Sequence, residues 1–280
     1  TKCNMANGQE ITLPLVPWLP HQFAPEDQVF HFKLEEDILY VRMPRMSEGI
    51  SPTQRQLLDL IGDETNEYPI IFDLRGNGGG DSTFANELGL ALRSGAQMSP
   101  RIKIRTKDGP LAKIATTNYL FINWQELKGI DPEAAVQAKN AYDSKVKELQ
   151  NMEAEGIPLS KMDLLTAVGN SRPGRRSGPY RKPIVLLVDK LCGSSCELMV
   201  DALIDLPNTE LIGTHTGGAI RFGNVGLFLL PNSKIETYFG SRSFEFTSNL
   251  QEGIGIKPDY YVLENLDALI VARNRLKFAR

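Results

Sequence analysis

Two short, wholly apolar segments place the strongest constraint on the fold of this chain. Residues 68–74 read YPIIFDL and residues 183–189 read PIVLLVD, and apolar runs of this length indicate buried strands. Each run is followed at once by small residues, RGNGGG at 75–80 and GSSCE at 193–197, and then by the pattern of a helix. Because strand, loop and helix continue to alternate without an internal repeat, the sequence predicts an α/β fold.

The same pattern divides the chain into a core and an insertion. Residues 51–54 read SPTQ, a capping box with proline at the first helical position, and predict the start of a helix. The charged, amphipathic residues 131–155 predict one long helix inside an insertion at about 115–180. The proline-rich residues 1–27 form a lead-in segment, and residues 28–280 form the core domain. The insertion fits a lid or interaction element and a simply solvated helix equally well.

Composition and charge argue against several classes of partner. With 41% hydrophobic residues and a net charge of −3 over 280 residues, the chain can bury a full core, and it has no basic run for nucleic acid. No stretch approaches 18 consecutive apolar residues, so no membrane span is expected. The three histidines and three cysteines show no ligand spacing, and no metal or cofactor is implied. Cys192 and Cys196 are four residues apart, a spacing that fits two neighbours on a helix or a small disulfide-closed loop. Of these, we expect free, buried thiols.

The loops after the two apolar runs contain the residues that acyl-transfer chemistry requires. Glycines 78–80 let the backbone approach a substrate and leave N–H groups pointing outward, although a glycine cluster alone indicates only a flexible turn. The phosphate-binding patterns GxGxxG and GxxxxGK are both absent. Ser194 stands at the first turn of the following helix, where the helix dipole stabilises an alkoxide or an oxyanion. A serine at this position is also an ordinary helix N-cap, and both roles fit the sequence.

Four segments of the chain resemble the C-terminal processing (tail-specific) proteases and their tricorn-like relatives. In chain order they read IIFDLRGNGGG, VLLVDKLCGSSCE, LIGTHTGGA and EGIGIKPD. The similarity covers roughly residues 28–265, with the insertion poorly matched. It implies a fold like that of the ClpP and crotonase families, with stacked ββα units, and a serine peptidase that acts on polypeptides. By position, the resemblance assigns the nucleophile to Ser194 and the oxyanion hole to backbone N–H groups of Ser195 and of Gly78 or Gly79.

The resemblance leaves the general base open. The larger branch of the family activates its serine with a lysine, and that position is Ala219 here. The tricorn-like branch, which this chain resembles more, uses a histidine, a serine and a glutamate, and the glutamate falls on Glu252. The histidine of that branch lies before the core, upstream of an inserted PDZ domain, so the base is expected in a preceding segment outside this sequence, at an internal histidine, or not at all. His215 is the internal candidate for the base, since a histidine within hydrogen-bond reach of the serine can act at neutral pH. His21 lies in the lead-in segment, and we expect a structural or surface role for His31.

Family habit implies export to the periplasm, the cell surface or the medium. The lead-in segment NGQEITLPLVP resembles the last strand of a PDZ domain, so we expect this chain to be the C-terminal part of a longer protein. The oligomeric state stays open.

A catalytically silent relative that binds peptides or apolar ligands is the alternative function. A crotonase-type acyl-CoA enzyme is disfavoured, because it would not need the GSSCE turn.

Overall fold

The computed structural model describes most of the core and the first part of the lead-in segment. The described residues are 2–4, 10–12, 28–47, 49–65, 67–93, 102–103, 120, 124–125, 127–128, 131–156, 176–206, 208–229, 232–233, 235–243, 245–246, 251–263 and 266–278. His21 and residues 157–175 of the insertion lie outside them.

Strands and helices alternate as the sequence predicts. The strands are β1 Lys2–Asn4, β2 Glu10–Thr12, β3 His31–Glu35, β4 Ile38–Arg42, β5 Ile70–Asp73, β6 Ile102–Lys103, β7 Ile184–Val188, β8 Thr209–Gly213, β9 Phe222–Leu229, β10 Glu236–Ser243, β11 Glu245–Phe246 and β12 Tyr260–Tyr261. The helices are α1 Pro52–Gly62, α2 Thr83–Leu92, α3 Pro132–Ala154, α4 Ser195–Leu203 and α5 Ala268–Phe278. None of these described helices is long and apolar enough to cross a membrane.

A six-stranded sheet organises the core, in the order β12-β8-β7-β5-β4-β3. Strands β3 and β4 pair antiparallel, and every other neighbouring pair in this sheet is parallel. The two apolar runs of the sequence are the adjacent strands β5 and β7, with Ile70 opposite Ile184 and Asp73 opposite Leu187. Their carboxyl ends therefore meet at one edge, and the loops that follow them lie side by side. The α/β fold predicted from the sequence is confirmed.

Both faces of the sheet are covered, which explains why β5 and β7 are apolar throughout. Ile70 and Phe72 of β5 point to the face that packs against α1, α2 and α4. Ile71 points to the opposite face, where α5 packs through Ala272 and Leu276. All four residues of β5 are buried. Burying one such apolar side chain stabilises the fold by roughly 1.5–3 kcal/mol.

The helix starts that the sequence indicates are also confirmed. Ser51 caps α1: its side chain accepts the N–H of Gln54, and the Gln54 side chain accepts the N–H of Ser51. Proline follows at the first helical position. The predicted helix of the insertion is α3, which Asp131 caps by accepting the N–H groups of Glu133 and Ala134. In the lead-in segment, β1 and β2 pair antiparallel, and its relation to a PDZ domain stays a prediction.

The expectation of free thiols at Cys192 and Cys196 is wrong, because the structure joins them in a disulfide. The helix does not run continuously through this segment: it begins at Ser195, and Ser194 before it has φ +54°. This turn places Cys192 ahead of the helix, with its Cα 5.4 Å from that of Cys196, within the range that a disulfide spans.

Candidate active site

The loops that follow β5 and β7 are held together by an aspartate at the end of β7. The two carboxylate oxygens of Asp189 each accept the N–H of Gly76 at 3.0 Å, and one of them also accepts the N–H of Leu191. A second link runs the other way, from the N–H of Gly193 to the carbonyl of Asn77 at 3.1 Å. The glycine loop and the serine turn therefore form one hydrogen-bonded unit.

Asn77 fixes the direction of the N–H groups in the glycine loop. It is fully buried, its Nδ2 donates to the carbonyl of Met43 at 2.9 Å, and its Oδ1 accepts the N–H of Gly79 at 2.9 Å. The N–H of Gly78 has no hydrogen-bond partner among the described residues, and Gly78 is exposed. Of the two glycines that the sequence offers as oxyanion donors, Gly79 is already engaged and Gly78 is free.

Gly79 lies directly against the serine turn. Its φ is +98°, and a Cβ added there would come 2.8 Å from the carbonyl oxygen of Gly193 and 2.8 Å from the Cβ of Ser194. Real Cβ atoms do not approach so closely, so only glycine fits this position. The absence of a side chain lets the glycine loop lie over Ser194 and the first residue of α4.

Ser194 has an unusual backbone conformation. Its φ of +54° and ψ of −123° place it in the left-handed half of conformational space, which a residue with a side chain rarely adopts. Such a residue costs about 1–3 kcal/mol, and conformations of this kind cluster at functional sites. A serine on a strained turn between a strand and a helix is the arrangement called a nucleophile elbow. The N–H of Ser194 donates to the carbonyl of Ala219 at 2.9 Å, which anchors the turn.

The two adjacent serines have different environments. Ser195 is buried, and its hydroxyl donates to the carbonyl of Gly80 at 2.5 Å. Ser194 is half-buried, and its hydroxyl has no hydrogen-bond partner in the part of the chain that the structure describes. Of these two hydroxyls, only that of Ser194 lacks a described partner and is therefore available for chemistry.

The helix α4 supplies a positive electrostatic environment next to this hydroxyl. Ser195 is its first residue, and the N–H of Ser195 donates to no described residue. The free N–H groups at the start of a helix carry partial positive charge, which favours a negative charge placed beside them. The arrangement can therefore stabilise an anion formed on or next to Ser194.

Glu197, which the sequence pattern includes without assigning it a role, holds the loop beyond β8. It is fully buried, and its carboxylate accepts the Thr216 hydroxyl at 2.5 Å and the N–H groups of Gly218 and Ala219 at 2.9 Å each. Burial raises the pKa of Glu197, while these three hydrogen bonds favour its charged form. Because the carbonyl of Ala219 accepts the N–H of Ser194, Glu197 positions Ser194 through this loop.

The structure also places the remaining candidates from the sequence. The Glu252 carboxylate accepts the N–H groups of Ile220 at 3.1 Å and Arg221 at 2.7 Å, directly after Ala219. His215 is half-buried in the loop after β8, and no hydrogen bond joins its ring to Ser194 within the described residues. Ser194, Ser195 and the glycine loop are brought together, whereas no described contact joins His215 or Glu252 to the Ser194 side chain.

Two positioning residues, Asp189 and Asn77, were not assigned from the sequence. A signal exists for each, since both are polar residues at the end of an apolar run or inside a glycine cluster, where a buried polar group needs hydrogen bonds. Which backbone groups they bind depends on the pairing of β5 with β7, and periodicity does not show that pairing.

The parts assembled here, a strained serine, a helix N-terminus and free backbone N–H groups, are those of a serine-nucleophile site. The sequence model for peptidase family S41 matches residues 37–262. The chain therefore belongs to peptidase family S41, and the peptidases of this family are serine hydrolases.

The first of three similar solved structures supports the same fold. A peptidase candidate from Parabacteroides merdae ATCC 43184 superimposes with a TM-score of 0.52 at 16% identity, over 88% of this chain and 64% of that one. Mature CPAF complexed with lactacystin has a TM-score of 0.49 at 17% identity, over 89% of this chain and 53% of that one. An S41 protease candidate from Bacteroides fragilis NCTC 9343 has a TM-score of 0.49 at 13% identity, over 90% of this chain and 58% of that one. This chain thus spans between about half and two-thirds of these proteins. A comparison with curated protein sequences gave no match.

Two glycine substitutions test the close approach at Gly79. Gly79→Ala should lower the melting temperature clearly and disrupt the serine turn, because the new Cβ would clash with Gly193 and Ser194 at a left-handed φ. Gly78→Ala is the matched control, since its Cβ would meet nothing within 4 Å. Equal melting temperatures for the two variants, measured by thermal unfolding, would contradict this geometry.

A conservative substitution tests the role of Glu197. Glu197→Gln replaces one accepting oxygen by an NH₂ group, which leaves a buried backbone N–H at Gly218 or Ala219 facing a donor. We expect a loss of about 1–3 kcal/mol in the free energy of unfolding, measured by urea denaturation. Glu148→Gln, which breaks a surface ion pair with Lys145, should change it by less than about 1 kcal/mol. If Glu197→Gln loses no more free energy of unfolding than this control, Glu197 does not hold the loop after β8.

Proposed function

We propose that this chain is a serine endopeptidase of the C-terminal processing type, with Ser194 as the nucleophile. One observation carries the proposal: no described residue engages the Ser194 hydroxyl, which lies on a left-handed turn at the start of α4, against a glycine loop in which the N–H of Gly78 has no described partner. Membership of peptidase family S41 supports hydrolysis of peptide bonds, and hence a polypeptide substrate. The substrate would bind as an extended strand beside the core sheet.

The backbone around Ser194 suits the transition state of acyl transfer. Attack of the Ser194 oxygen on a peptide carbonyl places a negative charge on the carbonyl oxygen. The N–H groups of Gly78 and Ser195 are the proposed donors to this oxyanion, because the N–H of Gly79 already donates to Asn77. Removing one such donor typically costs an enzyme about 2.7–4 kcal/mol of transition-state stabilisation.

For the general base we propose His215, which lies in the loop that carries the base in the lysine branch, with Glu252, the counterpart of the tricorn-like glutamate, as its orienting carboxylate. The family lysine is replaced by Ala219, whose exposed side chain lies next to the serine turn: a Cβ at Gly193 would be 3.5 Å from it. Glu252 accepts the N–H groups of the two residues directly after Ala219, so its carboxylate is hydrogen-bonded to the loop that carries His215. Substrate binding would have to bring the His215 ring to Ser194.

The disulfide supports a location outside the reducing cytosol. Structural disulfides form and persist in oxidising compartments, such as the periplasm or the cell exterior, and the Cys192–Cys196 bridge lies in the centre of the site. We therefore keep export, as a periplasmic, cell-surface or secreted protein, as part of the proposal.

A catalytically silent relative that binds peptides or apolar ligands at the glycine loop and the serine turn is the second candidate. It is favoured by one observation: no described histidine or lysine donates or accepts a hydrogen bond at the Ser194 hydroxyl. Binding would then use the backbone N–H groups of Gly78 and Ser195, and it would not require an activated serine.

A fluorophosphonate probe with intact-mass detection distinguishes these functions. We expect the wild-type protein to gain one probe mass, Ser194→Ala to gain none, and Ser195→Ala to react, because only the backbone N–H of Ser195 takes part in the chemistry. An unlabelled, folded wild-type protein would rule out the peptidase proposal and favour the silent relative. Labelling that persists in Ser194→Ala would assign the nucleophile to another residue.

The base can be tested in the same assay. If His215 is the base, His215→Ala should slow labelling by about 10²–10⁴-fold, and adding Ala219→Lys to that variant should restore part of the rate by supplying a lysine beside the serine turn. His31→Ala is the control, since His31 lies on β3 and its Nδ1 is within hydrogen-bond distance of the carbonyl of Val29. Unchanged labelling of His215→Ala would exclude His215.

A further inference from the structure

The Cys192–Cys196 disulfide encloses the nucleophile. The bridged segment reads Cys-Gly-Ser-Ser-Cys, so the link closes a loop of five residues with Ser194 at its centre. Both cysteines are fully buried. The bridge therefore makes no contact with substrate, and any effect on the reaction acts through the backbone of the turn.

Each end of the bridge is tied to the framework around the site. The N–H of Cys192 donates to the carbonyl of Asp189 at 3.0 Å, and its own carbonyl accepts the N–H of Gly217 at 2.7 Å. At the other end, Cys196 lies in the first turn of α4, and its N–H donates to the carbonyl of Gly193 at 3.1 Å. The disulfide thus connects the end of the loop after β7, which Asp189 and Gly217 hold, to the start of the helix.

We propose that Cys192 and Cys196 are positioning residues, whose disulfide holds Ser194 in its reactive left-handed conformation. The inference rests on the proposed function in taking Ser194 as the nucleophile. A serine at a helix N-cap normally has an extended backbone, and relaxation of Ser194 from φ +54° towards that region would swing the preceding chain away from the helix. Cys192 would then move away from Cys196, and the covalent bond prevents this movement.

The other contacts of the turn do not by themselves prevent this relaxation. The hydrogen bonds from Ser194 to Ala219 and from Gly193 to Asn77 favour the observed turn, but each can be exchanged for a bond to water when the turn opens. A strained conformation persists only where its surroundings over-determine it. Without the bridge, the turn should therefore sample its relaxed form, and Ser194 should point at the free N–H groups for a smaller fraction of the time.

The proposed test compares Cys192→Ala/Cys196→Ala with wild type in the fluorophosphonate reaction. We expect the maximal rate of labelling to fall by about tenfold or more, because small displacements of a reacting group cost large factors in rate, while the half-saturating probe concentration stays within about twofold. Leu276→Ala, which removes a buried side chain of α5 on the opposite face of the sheet, is the matched control. It should lower the melting temperature and leave the maximal rate of labelling within about twofold of wild type.

Hydrogen exchange provides a readout that does not require activity. The amides of Cys196 and Leu198, which donate to the carbonyls of Gly193 and Ser194, should exchange at least about tenfold faster in the double variant and not in the Leu276→Ala control. If the wild type does not react with the probe, the proposed function fails, and this exchange measurement alone decides the positioning role. Wild-type labelling and exchange rates in a folded double variant would overturn the proposal.

A variant that does not fold is replaced by reduced wild-type protein. A water-soluble phosphine converts the disulfide to two thiols, with one water molecule consumed and the phosphine oxidised to its oxide. The proposal predicts that the reduced, folded protein shows the slow labelling and fast exchange of the open turn, and that reoxidation to the disulfide restores both rates. Reduction that leaves both rates unchanged would overturn it.

Discussion

The parallel pairing of β5 with β7 is the constraint on which the site depends. In this register Asp73 lies opposite Leu187, so both strands reach the same edge of the sheet within one residue of each other. The glycine loop and the serine turn then emerge side by side, close enough for Asp189 to accept the N–H of Gly76. A shift of the pairing would separate Ser194 from the backbone N–H groups of the glycine loop.

Around this pairing, the protein keeps one residue in an unfavourable conformation and uses several contacts to hold it. Ser194 is held from the glycine loop by the close approach of Gly79, from the loop after β8 by the carbonyl of Ala219, and by the disulfide that encloses it. Glu197 in turn fixes that second loop through three hydrogen bonds. The strain and the contacts that hold it are features of one pre-organised turn, as expected of a site that must present a hydroxyl in a fixed direction.

The fold could be predicted from the sequence because its signals are local. Apolar runs identified β5 and β7, and the capping box at Ser51 identified the start of α1. The details of the site could not, since they depend on contacts between segments. Whether Gly78 or Gly79 keeps a free N–H depends on where the Asn77 side chain points. Sequence chemistry alone does not separate Ser194 from Ser195, and the structure does so through one hydrogen bond from Ser195 to Gly80.

We propose that Ser194 faces an oxyanion hole formed by the N–H groups of Gly78 and Ser195. The most direct test is a crystal structure of the protein after reaction with a small fluorophosphonate. We expect phosphorus bonded to the Ser194 Oγ and the phosphonyl oxygen about 2.7–3.1 Å from both backbone nitrogens. An adduct on another residue, or a phosphonyl oxygen directed away from both N–H groups, would contradict it.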